Sequence, residues 1–265
     1  MKKLGFIGTG NMGGALILAA SKSNMEKEIL LADKIPEKAK ALAEKTGGKL
    51  CDNKTAAAEA DFIFLGVKPQ MLGELMEEIA PVLAERKDRF VLVSMLAAFT
   101  CERIKKAAGG NFPVIRIMPN IPASIGEGMI LYAPDEEVSE EEIEFFLSVM
   151  EKAGRFSPLP EKLMDAGASV AGCGPAFVDL FVEALADGGV ACGLPRAQAM
   201  EFAAQMVLGS AKLILESRKH PGMLKDEVCS PGGTTIEGVR ALEKGGFRSA
   251  VTEAVIAAFE KNAKL

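Results

Sequence analysis

Tryptophan is absent from the chain, and histidine and tyrosine occur once each, as His220 and Tyr132. These absences narrow the chemistry. Moving a hydride to or from a carbonyl-alcohol pair usually calls for a positioned acid or base on the oxygen, most often His, Lys or Tyr. Tyr132 has Glu136 rather than Lys one helical turn on, so a local Tyr-Lys pair is missing. His220 beside Pro221 reads as a structural turn residue. The five cysteines, Cys51, Cys101, Cys173, Cys192 and Cys229, are scattered with no C-x-x-C pair, so neither a disulfide framework nor a metal site is expected. They read as small buried hydrophobes. No run of five Lys or Arg occurs and the formal net charge is -5, which disfavours nucleic acid as a partner. No uninterrupted apolar stretch reaches the roughly 18 residues of a membrane span, and no signal-peptide core follows Met1-Lys2-Lys3. The expectation is a cytoplasmic chain with no membrane partner.

What is present is ordinary globular material, 265 residues of which 49% are hydrophobic and 25% charged. That length favours two domains. Residues 4–8, 29–32, 61–67 and 90–94 read as short buried strands, and 114–115 as a further apolar segment. Helical stretches at 11–23, 36–45 and 70–84 fall between them, the β-α alternation of a parallel sheet covered by helices on both faces. The alternation persists through Phe146 and stops at Ser157-Pro158-Leu159-Pro160, which sets domains of 1–158 and 159–265. Beyond that point 175–190, 196–217 and 235–265 carry apolar residues at helical spacing, so the second domain is expected to be all-helical. Phe177, Val178, Leu180, Phe181, Val182, Ala184 and Leu185 leave one of those helices apolar nearly all round. A second copy of the chain would bury it, and a tightly packed monomer core is the alternative.

Two loops carry anion-binding chemistry. Gly8-Thr9-Gly10-Asn11-Met12-Gly13 follows a strand and opens a helix, so its amides and the helix N-terminus can hold a pyrophosphate where side chains are missing. Asp33, about 20 residues beyond Gly13, stands where an acid meets the ribose of a dinucleotide. Asp33 suits the free 2′-hydroxyl of NAD, whereas Lys34 suits the 2′-phosphate of NADP, and both cofactors stay open. The second loop, Cys229-Ser230-Pro231-Gly232-Gly233-Thr234-Thr235, precedes a helix expected to start near Ile236 and suits a substrate carboxylate, with a plain Thr-capped loop as the alternative. Lys68 ends a strand at the sheet edge where such folds bind ligands. A protonated C=N bond is already electrophilic at carbon, so its reduction needs hydride placement more than a strong acid. The sparse acid-base inventory fits that reaction.

The chain resembles the pyrroline-5-carboxylate reductases, essentially end to end. The likeness rests on Ile7-Gly-Thr-Gly-Asn-Met12, Phe64-Leu-Gly-Val-Lys-Pro-Gln70, Arg116-Ile-Met-Pro-Asn-Ile-Pro-Ala-Ser-Ile-Gly-Glu-Gly128, Val228-Cys-Ser-Pro-Gly-Gly-Thr-Thr-Ile236 and Leu242-Glu-Lys-Gly-Gly-Phe-Arg248. Ala184-Leu-Ala-Asp-Gly-Gly-Val190 and Gly193-Leu-Pro195 add to it. The resemblance implies an α/β fold, an N-terminal Rossmann-type doubly wound parallel sheet followed by an all-α dimerisation domain, working as a homodimer or higher homo-oligomer. It implies NAD(P)H-dependent reduction of 1-pyrroline-5-carboxylate to L-proline, with NADP(H) as cofactor and NAD(H) as the alternative.

By the same resemblance, Ser230, Gly232, Gly233, Thr234 and Thr235 hold the substrate carboxylate. Thr235 bonds the ring nitrogen during hydride transfer, with Lys68 the second catalytic candidate, and Glu161 and Glu227 lie beside the substrate. Cofactor contacts fall to Gly8, Thr9, Gly10, Asn11, Met12, Gly13, Asp33, Lys34, Asn53, Val67, Lys68, Pro69, Ala97 and Asn120. The family's Ser-Gly-Ser-Gly-Pro-Ala-Tyr reads Ala171-Gly-Cys-Gly-Pro-Ala-Phe177 here, which removes three hydroxyls from that segment. The rival readings are a hydroxyacid dehydrogenase or general imine reductase, which would not need the 230–235 loop, and a non-catalytic dinucleotide sensor.

Overall fold

A computed structural model describes residues 1–262 and 264. In chain order the elements are β1 (Lys2–Ile7), α1 (Asn11–Lys22), β2 (Lys27–Ala32), α2 (Pro36–Thr46), β3 (Lys49–Leu50), α3 (Asn53–Glu59), β4 (Phe62–Leu65), α4 (Leu72–Glu85), β5 (Val91–Ser94) and α5 (Cys101–Ala108). There follow β6 (Val114–Met118), β7 (Gly128–Pro134), α6 (Glu140–Met150), β8 (Gly154–Pro158), α7 (Met164–Ala171), α8 (Gly174–Ala191), α9 (Arg196–Ser217), α10 (Pro221–Val228), α11 (Thr234–Lys244) and α12 (Phe247–Asn262). Short 3-10 turns stand at Pro69–Met71, Ile121–Ile125, Glu151–Ala153 and Glu161–Leu163.

Among the described residues the sheet has eight strands in the order β3-β2-β1-β4-β5-β6-β7-β8. Strand β4 shows why it is buried on both faces. All four of its residues are buried. Phe62 and Phe64 enter one core with Phe6, Leu16, Ile17 and Phe146. Ile63 and Leu65 enter the other with Leu75, Ile79, Leu92 and Ile104. Side chains alternate across a strand, so an uninterrupted apolar run is what a sheet with helices on both faces requires. The Phe6 and Phe64 rings stack at 4.3 Å, tying β1 to its neighbour.

Where the observed fold departs from expectation, local chemistry explains it. The sheet is not wholly parallel, because β7 runs antiparallel to β6 before β8 resumes parallel pairing with β7. The expected strand over 61–67 stops at Leu65, since Gly66 breaks it and Pro69 starts a 3-10 turn. Ser157 and Pro158 end the edge strand β8 rather than lying beyond the sheet. The expected helical run 235–265 forms two helices up to Asn262, parted at Gly245-Gly246, where Gly246 takes a φ of +73°, while 263 and 265 lie outside the described residues.

The chain falls into two compact units, 1–173 with Phe259 onward, and 174–258. Helix α7 belongs with the first because Met164 is buried against Leu131 and Ala133 of β7. In the second unit, α8 and α9 form an antiparallel hairpin around Ala186, Ala199 and Ala203, the buried apolar residues there. Cys101 is buried as expected, Cys51 and Cys229 are half-buried, and Cys173 and Cys192 are exposed in the single chain. Cys192 lies in the helical unit, whose surfaces have little cover from the chain itself.

Candidate active site

The turn from β1 into α1 is built by close backbone contact. Gly8 has a φ of +104°, and a Cβ there would lie 2.5 Å from the Gly66 carbonyl oxygen. A Cβ on Gly13 would run into the Gly8 carbonyl. Gly10 differs: a Cβ added there meets nothing within 4 Å. Gly10 is also the N-cap of α1, with no side chain capping the helix, and Gly14 N–H makes the first helical bond to its carbonyl at 2.7 Å. The N–H groups of Asn11, Met12 and Gly13 are left for an outside acceptor, at the positive end of the helix dipole. An open, uncapped helix start with a bare Gly10 fits the phosphates of a dinucleotide.

The other cofactor candidates of this unit lie in segments that follow the C-terminal ends of the parallel strands. Asp33 follows β2, and its Oδ2 accepts Thr9 N–H at 2.6 Å and the Thr9 hydroxyl at 2.7 Å, while Oδ1 accepts Ile35 N–H at 2.8 Å. Burial works to raise its pKa, but the Ile35 and Thr9 bonds and nearby Lys38 outweigh burial and hold the carboxyl below its ordinary value. Thus Asp33 braces the glycine loop from within. Lys34 Nζ donates to the Glu74 carboxylate at 2.8 and 3.2 Å. Asn53 Nδ2 donates to Glu78 Oε2 at 2.7 Å, just after Asp52 caps α3 through Thr55 N–H.

Val67, Lys68 and Pro69 follow β4, with Lys68 exposed and its carbonyl accepting Met71 N–H at 2.8 Å. Beyond β5, Ala97 adjoins Ala98, whose φ of +60° is a left-handed conformation without glycine. Arg103 Nη1 donates to the Ala98 carbonyl at 2.7 Å and holds that turn. Such a residue carries strain of about 1–3 kcal/mol, and strain of this kind gathers at ligand sites. Nothing in the alanine pair announces it in the sequence. Asn120, after β6, accepts Met129 N–H and donates to the Ala171 carbonyl, each at 3.0 Å. Its amide therefore shapes this edge by joining three segments.

Glu161 binds within the frame: its Oε1 accepts Cys101 N–H at 2.6 Å at the start of α5 and lies 3.8 Å from Arg116. Arg116 is a residue that sequence reading had not singled out. It is 2% exposed, pairs with Asp165 at 2.7 Å, and keeps its Nε without a partner. Only its place inside a strand otherwise made of buried apolar residues, Val-Ile-Arg-Ile, could have drawn attention to it. The Cys101 thiol is pushed up to about 12 by burial and then by Glu161, which makes it unreactive at neutral pH.

The second loop lies in the helical unit. Gly232 takes a φ of +67°, and Gly233 N–H donates to the Ser230 carbonyl at 3.0 Å. The turn delivers the chain to α11, which begins at Thr234 rather than near Ile236, with Gly233 as N-cap and no side-chain cap. Neither threonine hydroxyl caps the helix, so the alternative of a plain Thr-capped loop is not what forms. Ser230, Gly232, Thr234 and Thr235 are exposed, and the first-turn amides add their positive end to these hydroxyls. Glu227 pairs with Lys219 at 2.6 Å on the preceding segment. His220 is the N-cap of α10 and accepts Gly222 N–H at Nδ1, a structural role.

Comparison with known proteins adds a second line. The family model for pyrroline-5-carboxylate reductase dimerisation matches residues 161–265, and that for NADP oxidoreductase, coenzyme F420-dependent, matches residues 3–98. The chain is 43% identical over 267 residues to the pyrroline-5-carboxylate reductase of Escherichia coli, covering 100% of this chain and 98% of that protein. It is similar to the solved pyrroline-5-carboxylate reductase of Coxiella burnetii, at a TM-score of 0.90 and 29% identity over 98% of this chain and 97% of that one. The NADP-bound pyrroline carboxylate reductase of Plasmodium falciparum gives a TM-score of 0.87 at 30% identity, with the same coverage of 98% and 97%.

Proposed function

The chain belongs to the pyrroline-5-carboxylate reductase family, and on that premise we propose that it reduces the C=N bond of 1-pyrroline-5-carboxylate to L-proline, as an oxidoreductase of the last step of proline biosynthesis. The full-length likeness at 43% identity carries this reading. A nicotinamide dinucleotide supplies the hydride when bound, and NADPH is preferred over NADH. The remaining work falls to residues of this chain.

The amides of Asn11, Met12 and Gly13 hold the pyrophosphate beside the bare Gly10, with Gly8 and Thr9 setting the turn. Asp33, Lys34 and Asn53 border the adenosine end. Val67, Lys68, Pro69, Ala97 and Asn120 shape the opposite end, where the Ala98 backbone is held in its left-handed form. Ser230, Gly232, Gly233 and Thr234 hold the substrate carboxylate at the uncapped start of α11. The Thr235 hydroxyl bonds the ring nitrogen and steadies it as the C=N bond becomes C–N. Lys68 places a positive charge at the sheet edge. Glu161 serves through Oε2, since Oε1 is committed to Cys101 N–H, and Glu227 flanks the carboxylate loop.

By role the chain divides at 158/159, with cofactor binding before and substrate binding with self-association after. The run 161–191 is long and apolar enough, by length and composition alone, to cross a membrane. We assign its apolar faces to a second copy of the chain, because Asp165, Asp179, Glu183 and Asp187 punctuate it and it opens the matched dimerisation segment. The protein then works in the cytoplasm as a homo-oligomer, with no membrane or nucleic acid as partner.

Thr235→Ala tests the mechanism. A hydrogen bond to a charged nitrogen contributes about 1.5–3 kcal/mol, and if Thr235 holds that nitrogen in line for the hydride only as the transition state is reached, kcat is expected to fall about ten- to a hundred-fold while the NADPH dissociation constant holds. Unchanged turnover would remove Thr235 from the reaction.

A further inference from the structure

Two of the residues that border the adenosine end of the cradle are already engaged, and with the same helix. Lys34 follows β2, and its ammonium is held by Glu74 in the first turn of α4 at 2.8 and 3.2 Å. Asn53 opens α3, and its amide is held by Glu78, one turn further along α4, at 2.7 Å. Strand order gives these pairs their meaning. Strand β1 lies between β2 and β4, so a bond from the segment after β2 to the segment after β4 passes across the end of β1, where the glycine loop begins. The Lys34–Glu74 pair is therefore a strap over the cradle, and both of its members are well exposed.

The acid at the ribose position is engaged too. Asp33 spends both acceptor sites of Oδ2 on Thr9 and one of Oδ1 on Ile35, which ties it to the loop it braces. A carboxylate so occupied keeps one acceptor site on Oδ1, enough for a single hydroxyl but not for a two-point grip on the ribose diol. Rejection or acceptance of a 2′-phosphate therefore turns on the adjacent cation, Lys34, and on whatever competes for it. A 2′-phosphate carries the charge to take Lys34 from Glu74, and a hydroxyl does not.

We propose that Glu74 is a specificity-determining residue for the cofactor, an internal carboxylate that occupies Lys34 until a 2′-phosphate displaces it. The proposal rests on the reductase reading for the identity of the cofactor, but not for its test. Glu74 lowers affinity for the phosphorylated nucleotide twice over, by holding Lys34 and by standing near the incoming phosphate. It leaves the unphosphorylated nucleotide nearly untouched. Because the pair is exposed, the effect is modest, about two- to five-fold in a dissociation constant.

Calorimetric titration of the full chain with adenosine 2′,5′-bisphosphate and with adenosine 5′-monophosphate reads this without any turnover. Glu74→Gln is expected to tighten the bisphosphate about two- to five-fold and to shift the monophosphate by less. Glu77→Gln, which removes the same charge from the same helix without touching Lys34, should leave the ratio of the two constants alone. Lys34→Gln should lower the preference for the bisphosphate and shrink the effect of a second Glu74→Gln change to the part that comes from carboxylate–phosphate repulsion alone. Equal tightening of both nucleotides, an equal gain in Glu77→Gln, or no change in Glu74→Gln would each overturn the proposal. Should the titrations come out as expected while pyrroline-5-carboxylate goes unreduced, the reductase reading fails and this assignment stands.

Discussion

The two units of this chain bury their apolar residues in opposite ways. In the α/β unit, Phe6, Phe62, Phe64, Leu65 and Phe146 are all 2% exposed or less, and two cores flank one sheet. In the helical unit the buried apolar residues are three alanines, while Phe202 is 56% exposed, Leu208 56% and Leu215 64%. Both units are comparably rich in large apolar residues, so composition does not separate them. The difference lies in where their partners are. The first unit closes its core with its own helices. The second leaves exposed the kind of apolar surface that soluble monomers rarely leave bare.

Substitutions can break that comparison. Phe64→Ala should cost about 3–5 kcal/mol, read as a lowered midpoint in denaturant unfolding, because a stacked ring inside a closed core leaves a cavity. Leu215→Glu should do little to the fold of one chain, since surface changes stay within about 0.5 kcal/mol. It should nonetheless shift the mass measured by light scattering toward that of a single chain. A mass that does not move in Leu215→Glu would place Leu215 outside any self-contact.

A smaller effect sharpens the account of the first unit. The folded state depresses the Asp33 pKa, so its contribution to stability is present above the unfolded value of about 3.9 and is lost as pH falls through the lower folded value. Asp33→Asn should therefore flatten the pH dependence of unfolding below about pH 4 and loosen the glycine loop at neutral pH. The check is urea unfolding of both proteins across that range. Parallel curves would show that the Thr9 and Ile35 bonds do not matter to the fold.

Much of this was legible in the sequence because it depends on local pattern. Phe-Ile-Phe-Leu in β4 reads as a strand buried on both faces, and Gly8, Gly10 and Gly13 mark a turn that admits no side chain at two positions and leaves the third bare. Some short helices were legible but went unread. Asp52 with Thr55, Thr100 with Arg103 and Ser139 with Glu142 are N-cap signals, and they open α3, α5 and α6. Other features had no local pattern to find. The antiparallel turn of β7, the burial of Arg116 against Asp165, and the engagement of Asp33, Lys34 and Asn53 all depend on contacts between residues distant in the chain. Periodicity says which residues want cover and is silent on which polar groups will find one another.

The most direct test of the central claim is the absorbance of NADPH mixed with the purified chain and pyrroline-5-carboxylate, beside a 2-keto acid as control substrate and NADH as control cofactor. Consumption with the imine alone, faster with NADPH than with NADH, is the predicted result. Consumption with the keto acid, or none with either substrate despite measurable nucleotide binding, would contradict the account.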